Sequence, residues 1–289
     1  TCPEGTRHGV RLPGAEESYH VWTLEAAARN ARELSEMEKY HHIIVDEAQD
    51  MPPGWLELVE ALMVRPQNGY SWFFFDDSQS LYTEGASLTI PSGDPWCPLR
   101  QCVRCSKSVF WQFADLYIPP VRERPLLGDP DDDTLAPVPP KHSFAGPGVD
   151  FLQMRASPDA WTEVAAEAAD VVRSWEMQGI LRGDIAVLCA NWQMAQVVAK
   201  SLEKNEGFAD ALVQPRTHFG SGRLCIGSFV QFKGLERQAV LVIGPCSSQE
   251  LYVASSRARA KLAYLDPEPK KLIQKRYLQE CKVEEENVK

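Results

Sequence analysis

The chain has 289 residues, 44% of them hydrophobic and 24% charged, and a formal net charge of −10 at pH 7. That length holds one large or two smaller domains with a real core. The acidic balance excludes a uniformly basic nucleic-acid binder, though not a local basic groove.

Residues 1–20 are polar, rich in Gly and Pro, and without a clear period. The chain starts at Thr1, and this opening reads as a cut through a domain. Residues 22–39 then read as a helix. Ile43, Ile44 and Val45 form a β-branched run that predicts a strand buried on both faces, as in a parallel sheet. At its carboxyl end stand Asp46, Glu47, Gln49 and Asp50. Carboxylates gathered there are costly unless a positive group faces them. The crevice outside strand carboxyl ends is also where open α/β sheets bind ligands. Two adjacent acids suit metal-assisted phosphoryl transfer. One can hold Mg²⁺ through its water shell, and the other can orient or deprotonate the attacking water. The plainer alternative is a strand followed by an acidic helix cap.

Pro52 and Pro53 can open a helix with Asp50 as its N-cap. Trp55, Leu58, Val59 and Leu62 follow at helical spacing. Asn68-Gly69 marks a turn, and Trp72 to Phe75 make a second buried strand that ends in Asp76, Asp77, Ser78 and Gln79. This is a right-handed βαβ unit with polar groups from two strand ends in one crevice.

Residues 91–99 read as a passage between units, and 103–117 as a helix. Residues 118–148 are rich in Pro, Gly and Asp and read as an exposed loop. Asp131, Asp132 and Asp133 suit a solvated acidic loop better than a metal site. Strands and helices then alternate: strand 149–154, helix 159–178, strand 184–190, helix 191–205, strands 223–229 and 238–244, helix 248–259 and strand 261–265. The alternation predicts a parallel sheet with helices on both faces. The tail from 268 is charged and reads as helical, then frayed.

No apolar run reaches the length of a membrane span, and no signal-peptide pattern is present. Eight cysteines are scattered among apparent core strands, as at Cys189, Cys225 and Cys246. This predicts free thiols and an intracellular protein of cytoplasm, nucleoid or nucleus. Cys97, Cys102 and Cys105 lie close together, but no fourth zinc ligand stands near them.

VDEAQD at 45–50 and FFFDDSQSLY at 73–82 resemble motifs II and III of superfamily 1 helicases of the Rep/UvrD type. LRQCVRCSKSV at 99–109 resembles motif IV, with Cys102 and Val103 where Asn and Tyr are usual. SFVQFKGLE at 228–236 resembles motif V, with Ser228 and Val230 where Thr and His are usual. LYVASSRAR at 251–259 resembles motif VI. The PPGW at 52–55 and the FKGLE form resemble helicases that accompany nuclease-related domains.

The resemblance implies an α/β, RecA-like fold with one partial and one complete lobe. Residues 1–95 would hold motifs II and III, residues 96–269 motifs IV to VI, and 270–289 the tail. It implies ATP and Mg²⁺ as cofactors, with Asp46 on the metal, Glu47 activating water and Gln79 sensing the γ-phosphate. Arg104 and Arg257 would offset phosphate charge from the opposite lobe. Gln49, Glu236 and Tyr252 would contact the nucleotide, while Tyr82, Ser228 and Lys233 would contact single-stranded DNA or RNA. Arg104 has a surface arginine as its alternative, Glu236 a structural turn, and Tyr82 a core aromatic.

One departure stands out: no G-x-x-x-x-G-K-[ST] phosphate loop occurs in the sequence, and FGSGR at 219–223 lacks both the lysine and a following helix. Two functions therefore stay open. One is the motor fragment of an ATP-dependent DNA helicase or translocase. The other is a helicase remnant without a phosphate loop, working as a nucleic-acid or protein interaction module.

Overall fold

The computed structural model describes residues 26–51, 54–64, 70–76, 79, 97, 99, 101–114, 116, 139–140, 144–155, 160–205, 208, 222–244 and 246–266. Pro52, Pro53, the Asn68-Gly69 turn, Tyr82, Asp131 to Asp133 and the tail from 268 lie outside them. The chain divides into two units, Thr1–Thr89 and Ile90–Lys289.

In the first unit a helix runs over 26–32, not to 39. Ser35 breaks it. Its backbone N–H and hydroxyl donate to the Glu38 carboxylate at 3.0 and 2.7 Å, capping a single 3-10 turn, Glu36–Glu38. Serine at such a position favours a cap over helix continuation. Strand β1 (His42–Val45) pairs in parallel with β2 (Tyr70–Phe73), Ile44 lying opposite Trp72. Between them in sequence runs α1 (Trp55–Leu62). Its N-cap is Gly54 at φ 90°, a conformation that glycine adopts without steric cost. Asp50 instead closes a one-turn 3-10 helix, Ala48–Asp50.

The expectation of strands buried on both faces fails here. Ile44 is 70% exposed and Trp72 58%. Among the described residues, the buried apolar side chains of this unit are Ala28, Ala31, Ala48, Val59, Ala61 and Val64. Six small side chains bury little apolar surface, so one face of the two-stranded sheet stays open to solvent.

The second unit is a five-stranded sheet of β3 (Asp150–Gln153), β4 (Ile185–Cys189), β5 (Cys225–Ser228), β6 (Arg237–Ile243) and β7 (Ala258–Asp266), in the order β3-β7-β6-β4-β5. Every pairing is parallel. All five residues of β4 are buried, as the run Ile-Ala-Val-Leu-Cys requires of a central strand covered on both sides. Ile185, Val187 and Cys189 point to one face. There they join Val164, Ala168 and Val172 of α3 (Trp161–Met177) and Ala195, Val198 and Leu202 of α4 (Trp192–Asn205) in one core. α2 (Lys107–Ala114) and α5 (Ser248–Ser255) also pack together, Phe113 meeting Tyr252 edge-on at 5.8 Å. The Ser255 hydroxyl ties α5 to the Tyr264 hydroxyl of β7 at 2.6 Å. This is the α/β architecture with a parallel sheet that the alternating pattern predicts.

Two boundaries differ from the expected ones. The Ser106 N–H donates to the Arg259 carbonyl at 2.7 Å, which draws the chain onto the start of β7 before α2 begins. Arg104 therefore lies in a bend ahead of the helix. α5 stops at Ser255, so Arg257 lies in the turn before β7, not within a helix reaching 259. Among the described residues no helix is long and apolar enough to cross a membrane.

Candidate functional site

In the first unit, the ends of β1 and β2 come together. The Ala48 N–H donates to the Phe74 carbonyl at 2.9 Å, holding the two strand exits side by side. Gln49 is 2% exposed and bridges them. Its side-chain carbonyl accepts from the Asp76 N–H at 3.0 Å, and its amide donates to the Glu47 carboxylate. Asp76 in turn accepts from the Gln79 amide at 2.8 Å. Asp46 is exposed and Glu47 half-buried. The carboxylates thus stand along a connected polar chain, Glu47–Gln49–Asp76–Gln79, with Asp46 beside it in sequence.

Glu47 sits at φ 54°, ψ 40°. Among the described residues it is the one non-glycine with positive φ. That conformation costs roughly 1–2 kcal/mol for a residue with a β-carbon. Strain of this kind persists only where the surroundings fix it, and it concentrates at functional sites. Here the fixing contacts are the Ala48 bond to Phe74 and the Gln49 bridge.

The bridge makes a testable claim. Gln49→Leu keeps the volume but leaves the Asp76 N–H without its acceptor, at a cost of about 1–3 kcal/mol. Amide hydrogen exchange at Asp76 should accelerate about tenfold or more. Unchanged exchange at Asp76 would mean that the bridge holds nothing.

In the second unit, the functional candidates gather where β6 and β7 begin. The Arg237 N–H donates to the Arg257 carbonyl at 3.0 Å. Glu236 is partly exposed and faces Arg259 at 3.7 Å. Arg259 also anchors Ser106, so the bend carrying the exposed Arg104 lies at this edge too. Arg257 is 2% exposed. Its guanidinium donates to the Val253 carbonyl and the Ser256 hydroxyl, both at 3.0 Å, and so folds back on α5. To touch a phosphate it has to rotate out and exchange these bonds for new ones.

Ser228 ends β5 buried, its N–H and hydroxyl donating to Gln231 at 3.2 and 3.3 Å. Lys233 is 7% exposed within the turn that follows, and Gly234 completes the turn at φ 77°. Tyr252 is 5% exposed against Phe113. Sequence reasoning missed the parts of Asp76 and Gln231. Asp76 stands three residues past the end of β2, directly after the apolar run Phe73 to Phe75, and that placement at a strand exit was a usable signal. Gln231 lies three residues after Ser228, a spacing at which a side chain can cap a strand exit.

Among the described residues, no group of three or more His, Cys, Asp or Glu is placed to hold a metal ion alone. Mg²⁺ bound together with substrate phosphates needs only one or two carboxylates. The exposed Asp46 fits that requirement.

No protein-family model matches the chain, and no curated protein matches it. Among solved structures it is similar to the C-terminal domain of a possible DNA helicase from Lactobacillus plantarum WCFS1. That match has 16% identity and a TM-score of 0.40, covering 59% of this chain and 91% of that one. It is also similar to arterivirus nonstructural protein 10, a helicase, with 14% identity and a TM-score of 0.39. There the match covers 82% of this chain and 41% of the viral protein. Both likenesses are distant.

Proposed function

We propose that the chain is the motor part of an ATP-dependent helicase or translocase that acts on single-stranded nucleic acid. The observation that supports this reading is the Gln49 bridge. It sets Glu47 and Asp76, from two parallel strand exits, in one polar chain beside the exposed Asp46, and it fixes Glu47 in a strained conformation. In this reading Asp46 holds the Mg²⁺ of Mg·ATP, Glu47 accepts a proton from water, and Gln79 senses the γ-phosphate. Bound Mg²⁺ would neutralise phosphate charge. Arg104 and Arg257 supply fixed positive charge, in a planar form suited to phosphate oxygens. Gln49, Glu236 and Tyr252 contact the nucleotide. Ser228, Lys233 and Tyr82 contact the nucleic acid, the tyrosine by stacking on a base.

The test on this chain is fluorescence anisotropy with a labelled single-stranded DNA, a single-stranded RNA and a duplex, over a range of salt. Single strands should bind more tightly than the duplex. The logarithm of affinity should fall with the logarithm of salt, by about 0.7 for each phosphate contacted. Binding to none of the three would overturn the reading and favour a protein-interaction module instead.

A further inference from the structure

Cys102 and Cys105 occupy the bend ahead of α2, with their sulphur atoms 3.3 Å apart. Cys105 is 3% exposed and Cys102 half-buried. Contacts of the neighbouring backbone hold this bend. The Ser106 N–H binds the Arg259 carbonyl at 2.7 Å, and the Ser106 hydroxyl donates to the Ala260 carbonyl at 3.3 Å. The Ser108 hydroxyl donates to the Pro147 carbonyl at 2.6 Å. On the other side, the Gln101 amide donates to the Cys102 and Pro139 carbonyls. The thiols therefore face each other across a backbone fixed at both ends. A disulfide needs a sulphur separation of about 2.05 Å, so closure takes an approach of about 1.2 Å, within reach of side-chain rotation.

We propose that Cys102 and Cys105 form a redox-active thiol pair, a modification site that reacts with peroxides and closes as a reversible intrachain disulfide. In the first step the Cys102 thiolate attacks a peroxide oxygen. An S–O bond forms, the O–O bond breaks, and the departing hydroxide takes up a proton to become water. Cys102 is now a sulfenic acid, oxidised by two electrons. In the second step the Cys105 thiol attacks that sulphur. The S–S bond forms, the S–O bond breaks, and the hydroxyl leaves as water with the Cys105 proton. For hydrogen peroxide the sum is two thiols and one peroxide giving one disulfide and two waters. A small dithiol restores the pair by thiol–disulfide exchange.

The environment sets the two roles. A hydrogen bond from Cys105, with further ones from the Arg104 and Cys105 backbone N–H groups and the Arg104 charge, lowers the Cys102 thiol to about 6. The same hydrogen bond, together with burial, pushes the Cys105 thiol up. Cys102 is thus the attacking thiolate and Cys105 the resolving thiol. The two other buried cysteines differ. Burial raises Cys189 to about 12 and Cys225 to about 11, so neither is nucleophilic near neutral pH. A lowered pKa also weakens the thiolate as a nucleophile, so its rate advantage at pH 7 is only a few-fold. The distinguishing readout is therefore the product. The bridge would also enclose Arg104. Any effect on that arginine's work rests on the function proposed above, whereas the chemistry does not.

The experiment treats the reduced 289-residue chain with stoichiometric hydrogen peroxide at pH 7, blocks remaining thiols with iodoacetamide and digests with trypsin. Cleavage after Arg100, Arg104 and Lys107 should release Gln-Cys-Val-Arg joined to Cys-Ser-Lys, two hydrogens lighter than the separate peptides and split again by dithiothreitol. Cys105→Ser should instead accumulate a Cys102 sulfenic acid that dimedone traps, and Cys102→Ser should give neither product. Recovery of both peptides fully alkylated while Cys97 or Cys246 is oxidised would overturn the proposal. So would a Cys102 in the Cys105→Ser chain that reacts with dimedone no more than Cys97.

Discussion

Titrated with Mg·ATP, the 289-residue chain alone should bind in the millimolar range or weaker and release no phosphate. The motivating observation is the absence of any GK[ST] in the sequence. A phosphate loop supplies several backbone N–H donors, a lysine and a Mg²⁺-binding hydroxyl. Charge-assisted hydrogen bonds of this kind contribute roughly 1.5–3 kcal/mol each. Without two or three of them the site loses on the order of 5 kcal/mol, or three to four powers of ten in affinity. Among the described residues, the two strand exits of the first unit present carboxylates, Asp46, Glu47 and Asp76, which would repel a triphosphate. Isothermal calorimetry, run beside a phosphate-release assay with single-stranded DNA, checks this. Micromolar binding with DNA-stimulated release would mean that another loop cradles the phosphates, with 220–223 the first to mutate.

The second unit was legible in the sequence because its strands are short apolar runs between helical patterns. Ile185 to Cys189 and Gln238 to Ile243 cannot alternate polar and apolar, since helices cover both faces of the sheet. The first unit was less so. Ile43 to Val45 and Trp72 to Phe75 read as buried, yet whether a face is covered depends on what packs there, and strand periodicity carries no information about that. The acids at the two strand exits were legible as candidates, since each follows an apolar run directly. Their connection was not. Gln49 finds its partner in a backbone N–H 27 residues away, and no local pattern encodes such a contact. The same holds for Arg104. Residues 103–117 look helical, but the Ser106 bond to Arg259 starts the helix later and leaves the arginine in a bend. The pairing of Cys102 with Cys105 was visible only as spacing. Their sulphur contact follows from the fixed bend.

Glu47→Gln should leave nucleotide affinity within about threefold while lowering turnover by two to four powers of ten, the usual scale of general-base catalysis. The comparison needs a polypeptide that supplies a phosphate loop in front of these 289 residues. The structure makes this substitution a clean one. Glutamine tolerates the left-handed backbone at φ 54° no worse than glutamate, since both carry the same β-carbon. Its side-chain oxygen can still accept from the Gln49 amide, so the bridge to Asp76 survives. What disappears is the carboxylate's ability to take a proton. Glu47→Gly separates the two contributions. It also removes the base, but it relieves the backbone strain and frees Gln49. It should therefore lose activity to the same degree and, unlike the glutamine variant, raise amide exchange at Asp76. Single-turnover hydrolysis with excess enzyme isolates the chemical step, and a fluorescent nucleotide reports affinity. Wild-type single-turnover rates in the glutamine variant would remove Glu47 from the chemistry. Its strain would then serve only to place Ala48 and Gln49 between the strand ends.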